Sequence, residues 1–194
     1  MKITISVVCV LALTSIPGIT QEYNPTMKRL SFSLGSMEVP LSFLIYRADH
    51  ATYWKAKDKL LQEQLESQIK KTPGALLLVD TTNVYSHIIV YQSPQDLPMN
   101  SGEEKALDEK FRSASKKFPP DLVVVDYQSY RMYWLQAKYN YYETGFHVKS
   151  KSSGLERYTT IYLISDRTKT IVLTFQAPRK SDTYEVFRTF KFKG

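Results

Sequence analysis
The chain predicts an α+β fold, an antiparallel β-sheet covered by amphipathic helices, and three observations carry that expectation. Apolar and polar residues alternate at period two in several short runs, as at Arg29-Leu-Ser-Phe-Ser-Leu34, the pattern of strands with one buried face. Two longer stretches repeat apolar residues every three or four positions and stop at prolines, as helices with one buried stripe do. Several strand-like runs are separated by only a few turn-forming residues, which suits antiparallel hairpins and not parallel crossovers.

Taken in order, Arg29 to Leu34 and Glu38 to Tyr46 flank Gly35-Ser36 and predict a hairpin with Val39, Leu41, Phe43 and Ile45 on a buried face. Tyr53 to Lys71 places Tyr53, Ala56, Leu60, Leu61, Leu65 and Ile69 on one stripe, with Asp49 or Thr52 as cap and Pro73-Gly74 as stop, and predicts a helix. Ala75 to Asp80 and His87 to Gln92 are β-rich and form a second strand pair around Thr81-Thr82-Asn83. Ser101-Gly-Glu-Glu104 makes a capping box, and Leu107, Phe111, Ala114 and Phe118 give the second helix its stripe before Pro119-Pro120.

Leu122 to Tyr142 is too long and aromatic for one flat strand, so two strands are expected, with a break near Asp126 to Ser129 and a turn at Glu143-Thr-Gly145. Phe146 to Lys149 begins a further strand. Arg157 to Ser165 and Lys169 to Gln176 predict a hairpin around Asp166-Arg167-Thr168, and the chain from Ser181 to Phe192 predicts a short helix followed by a strand-like tail.

Residues 1–20 have the three parts of a secretory signal peptide: basic Lys2, an apolar run from Ile3 to Leu13, and Ser15-Ile-Pro-Gly-Ile-Thr20 before the expected cut. The run is shorter than the roughly 20 residues that cross a bilayer. Residues 21–194 are then one domain acting in the periplasm or outside the cell. Cys9, the single cysteine, lies inside the apolar run, so the mature chain offers no disulfide, thiolate ligand or cysteine nucleophile. A chain of this size buries about 70% of its unfolded surface without such staples. Its aromatic content of 13% and charged content of 23% are those of a globular protein.

The formal charge of +7 is unevenly placed, with ten basic and four acidic residues from Lys149 onward. This basic C-terminal hairpin and tail has two readings: a face for peripheral contact with anionic lipids or an acidic partner, or solubilising charge. The dispersal of its basic residues favours the second.

Catalytic motifs are sparse. There is no Gly-x-Ser-x-Gly elbow, phosphate-binding glycine loop, or paired His or Cys spacing for a metal. His50, His87 and His147 stand in unrelated contexts, and Glu38, Asp80, Asp126 and Glu143 are scattered carboxylates. No cofactor is expected. Export weighs against nucleic acid despite the basic, aromatic composition.

The succession of a hairpin, a helix, further strands, the aromatic run Tyr133-Trp-Leu-Gln-Ala-Lys-Tyr-Asn-Tyr-Tyr, the pair Tyr158-Thr-Thr-Ile-Tyr-Leu-Ile and Ile171-Val-Leu-Thr-Phe, and the ending Val186-Phe-Arg-Thr-Phe-Lys-Phe resembles the PsbP-like family of exported α/β/α sandwich proteins. The resemblance implies a non-catalytic accessory or binding role and supplies no catalytic residues.

The segment Tyr127 to Tyr142 carries the binding expectation. In extended chain, Tyr127, Arg131, Tyr133, Tyr139 and Tyr141 take one face, and Tyr and Arg are residue types that dominate binding hot spots. Two functions follow as expectations: an exported module that recognises a protein, peptide or envelope component through this face, or a small secreted hydrolase built on one of the histidines.

Overall fold
The computed structural model describes residues 26–46, 74–83, 85–94, 101–116, 120–135, 139–180 and 183–193, with isolated positions between 63 and 72 and at 118. The expected signal segment lies outside the described residues, as does most of the helix expected from Tyr53 to Lys71. At positions 63, 66, 67, 69 and 70 the backbone is helical, and the Tyr46 hydroxyl donates to Glu66 Oε1 at 2.6 Å.

Among the described residues the protein is mostly antiparallel sheet, 53% strand and 17% helix. The strands are β1 (Met27–Phe32), β2 (Gly35–Pro40), β3 (Phe43–Ile45), β4 (Leu76–Asp80), β5 (His87–Gln92), β6 (Leu122–Leu135), β7 (Tyr139–Ser150), β8 (Glu156–Ser165), β9 (Thr170–Ala177) and β10 (Lys191–Phe192). Helix α1 (Ser101–Ser115) follows β5, and α2, a single turn at Tyr184–Phe187, precedes β10. A seven-stranded sheet has the order β3-β4-β5-β9-β8-β7-β6, and a second sheet of three strands has the order β1-β2-β10.

The expected sheet covered by helices, and the α/β/α sandwich, are therefore corrected to a β-rich fold. One face of the large sheet is met by the small sheet and α2: Met37, Val39, Phe187 and Phe190 pack on Leu78, Ile88, Val90, Tyr162 and Leu173 in the main core. The other face takes α1, whose Leu107 and Phe111 pack with Tyr142, Leu163 and Val172. Strand periodicity tells which face of a strand is buried. It does not tell which sheet the strand joins, and here the run read as one hairpin serves both sheets.

Two boundaries move for the same kind of reason. The expected strand Glu38 to Tyr46 divides after Pro40, which has no amide hydrogen for a ladder, and Leu41, expected buried, is 55% exposed at the crossing between sheets. The hairpin turn sits at residues 33–34, since Gly35 already pairs with Phe32.

The stretch from Leu122 is one continuous strand of 14 residues. It absorbs its length through two irregularities of register, between Val124 and Asp126 and between Tyr130 and Tyr133, because bulges bend and twist a strand without ending it. The expected turn at Glu143-Thr-Gly145 is instead the middle of β7.

The β8–β9 hairpin forms as expected. Asp166 Oδ1 accepts from the Thr168 amide at 2.9 Å, the Thr168 hydroxyl at 2.7 Å and the Lys169 amide at 2.9 Å, a side chain mimicking a backbone turn. The short helix and strand-like tail also form, with β10 pairing antiparallel to β2.

Candidate functional site
The small sheet and α2 leave uncovered the part of the large sheet where β6 to β9 run side by side. Rows of directly opposed residues cross it: Asp126, His147, Tyr158 and Ala177; then Gln128, Gly145, Thr160 and Phe175; then Glu143 and Tyr162. Side chains in register across neighbouring strands share a face. The middle row is low at its centre, with glycine between Glu143 and His147 and threonine between Tyr158 and Tyr162. The result is a cleft of about 380 Å³ lined by the first two rows, by Glu143 and Tyr162, by Lys180 and Thr183 from the segment leading into α2, and by Tyr184 at the start of α2.

The bulge after Val124 sets the edge of this cleft. Val124 pairs with Val148, and the next pair is Asp126 with His147, so the extra residue Val125 drops out of register and is 53% exposed. Without it Val125 would stand opposite His147. The bulge places a carboxylate there instead.

Each end of the cleft is held by a bonded pair. At one end His147 stacks on Tyr158, with ring centroids 4.1 Å apart, and its Nε2 lies 3.1 Å from Glu156 Oε2. A carboxylate can only accept, so this nitrogen carries the proton. The bond from His147, then that from Lys149, holds the Glu156 carboxyl below its usual range.

At the other end the Tyr162 hydroxyl donates to Glu143 Oε1 at 3.2 Å and lies 2.9 Å from Thr183 Oγ1, while its ring stacks on Phe187 at 4.0 Å. Burial, and after it the Glu143 charge, pushes the Tyr162 phenol well above its usual range, so it stays a neutral donor. On the β6 side Gln128 Nε2 donates to Asp126 Oδ2 at 2.8 Å.

Of the five residues expected to form one aromatic face, the three with described side chains do not all share one. Tyr127 lies under α1, donating to Asp108 Oδ1 at 2.8 Å, with its ring 5.2 Å from Phe146 and the Arg112 guanidinium over it at 5.0 Å. Tyr141 is in the main core against Phe187, at 4.6 Å, and Tyr139 packs on Phe192 at 4.7 Å. Arg131 and Tyr133 belong to β6 by backbone, with Tyr133 opposite Tyr141, and their side chains lie outside the described part. The expected face assumed unbroken alternation, whereas the second irregularity changes the parity between Tyr130 and Tyr133.

Of the residues that line the cleft, the sequence offers Asp126, Glu143 and His147 only as scattered carboxylates and an isolated histidine. Glu143-x-Gly145-x-His147 and Tyr158-x-Thr160-x-Tyr162 are period-two sets visible in the chain, yet Gly145 read as a turn, and only the register shows that the two sets are adjacent. Of the histidines, His147 lines the cleft, His87 is buried in β5, and His50 lies outside the described residues.

Chemically the arrangement presents two carboxylates, an amide, hydroxyls, an ammonium group and tyrosine rings around an open floor. Among the described residues no group of three or more His, Cys, Asp or Glu comes together to hold a metal ion, and no serine or threonine hydroxyl is hydrogen-bonded to His147. No helix among them is long and apolar enough to cross a membrane. No protein-family model matches the chain, and no curated protein matches it.

Proposed function
We propose that the mature protein is a non-catalytic binding module that works outside the cytoplasm and holds a small polar ligand or an extended chain end in the cleft over β6 to β9. The observation that carries this reading is the cleft itself. Its size falls within the roughly 300–1,000 Å³ of small-molecule sites, and its convergent polar groups are fixed by neighbours instead of left to rotate. The signal-like first segment supports an exported role. The accessory role implied by the PsbP-like resemblance agrees with binding, although the sandwich it implied is not the fold adopted.

A thermal-shift screen of the purified mature chain tests this, using amino acids, dipeptides, saccharides, amines and nucleotides at millimolar concentration. One class should raise the melting temperature of the wild type and leave Gly145→Leu unmoved, because leucine at 145 occupies the cleft floor. A shift shared equally by both proteins, or none from any class, would sink the reading.

The histidine hydrolase keeps one observation in its favour, the His147–Glu156 pair beside the cleft, which has the base-and-orienter geometry of nucleophilic enzymes. It expects ester or glycoside turnover that His147→Ala abolishes.

A further inference from the structure
We propose that the ligand of the cleft is a saccharide of one or two pyranose-sized rings, an assignment that rests on the binding reading above and narrows it. The first argument is Gly145. Its φ is not positive, and a β-carbon built there would meet nothing closer than the Thr159 carbonyl oxygen at 3.5 Å, so neither backbone nor packing requires glycine. Glycine inside a strand costs stability and marks places where another group approaches closely. At 145 its effect is to open the floor of the cleft between the Glu143 and His147 rows.

The second argument is the chemistry of the walls. Asp126 and Gln128 stand together on one side, already bonded to each other. Glu143 is oriented by Tyr162. A carboxylate has about four acceptor positions, so Asp126 keeps acceptor capacity beside its bond to Gln128. Thr160 can donate and accept, and Lys180 only donates. Donors and acceptors gathered around one space suit hydroxyl groups, which do both.

The third argument is the rings. Tyr158 stands at one end of the floor, and Tyr184, 43% exposed, at the rim. Tyr158, whose ring His147 covers on one side, and Tyr184 offer apolar ring surface against which the C–H face of a sugar ring can lie. Other ligand classes fit worse. An anion meets Asp126 and Glu143, a simple cation meets Lys180, and an apolar ligand strips water from two carboxylates without replacing it.

Saturation-transfer NMR on the mature chain decides the matter, with hexoses, N-acetylhexosamines and their disaccharides as one panel and dipeptides, polyamines and nucleotides as the other. The expected result is saccharide signal with the wild type, lost in Gly145→Leu and weakened tenfold or more in Asp126→Ala, both variants retaining the wild-type circular dichroism. Thr160→Leu, from the next strand of the same row, replaces Gly145→Leu if that variant fails to fold. Saccharide signal that survives filling of the floor overturns the proposal. Silent saccharides beside a responding amine or peptide overturn the saccharide while leaving the cleft as a binding site, and silence from both panels removes both.

Discussion
Buried in β5 at 1% exposure, His87 has neither ring nitrogen within hydrogen-bond geometry of a partner, although Gln176 and the Tyr85 backbone lie nearby and weakly favour its charged form. Burial, reinforced by the Arg157 charge, lowers its pKa from 6.5 to about 4. The folded state thus holds the neutral ring, and the unfolded chain binds the proton first. Stability from this group is complete above about pH 6.5 and is lost as pH falls from there towards 4, a loss on the order of 3 kcal/mol. His87→Leu should flatten that acid limb in urea titrations and cost little at pH 7, since no hydrogen bond is removed. An unchanged acid limb would contradict the assignment.

Gly35 makes a different demand on one residue. A β-carbon there would run into the Lys191 carbonyl oxygen and crowd the Phe190 ring, so Gly35→Ala must push β10 away from β2. A destabilisation of about 1–3 kcal/mol is expected in chemical denaturation, as for other overpacked sites. The glycine was legible in the sequence as a turn former. Its real task, a close approach between strands more than 150 positions apart, was not, because nothing local encodes it.

At the scale of elements, α2 is one turn long and owes its structure to packing, since so short a helix is not stable alone. Its Phe187 is fully buried between Tyr141 and Tyr162. Phe187→Ala should cost about 3–5 kcal/mol by melting or urea denaturation, and it should also weaken ligand binding, because Tyr162 and Thr183 form one wall of the cleft. A loss below about 1 kcal/mol would mean that α2 is not part of the core.

Helix α1 was readable from its spacing, Leu107 and Phe111 recurring on one stripe, and it docks with those residues inward. Strand β6 was not, because Val125 and the residues after Tyr130 disturb the alternation that sequence reading relies on. A bulge is selected by what the partner strand presents, and that information sits in β7.

For the molecule as a whole, β5 and β9 lie near the middle of the large sheet, with residues 88–90 and 171–173 buried on both faces, while β6 is an edge with Val123 and Val125 exposed. Native-state hydrogen exchange should therefore show the slowest amides in β5, β9 and β8, opening only with global unfolding, and faster exchange along β6. Amides of β6 outlasting those of β9 would refute this layering. The bulges along β6 also fit an edge that must not pair with other chains.

What the sequence determined by itself was local: most strand positions, helix α1, the β8–β9 turn built on Asp166, and the chain's lack of cysteine after residue 20. Those features follow from periodicity and from side chains acting on their own neighbours in the chain. The tertiary structure alone decided that the first hairpin and the last strand form a second sheet, that Tyr127 and Tyr142 pack towards α1 while Tyr139 and Tyr141 pack into the main core, and that Glu143, Gly145 and His147 meet Tyr158, Thr160 and Tyr162 across a cleft. The physical reason is that a strand's pattern fixes which of its faces avoids water, whereas its neighbours and its register are fixed by packing between segments far apart in the chain.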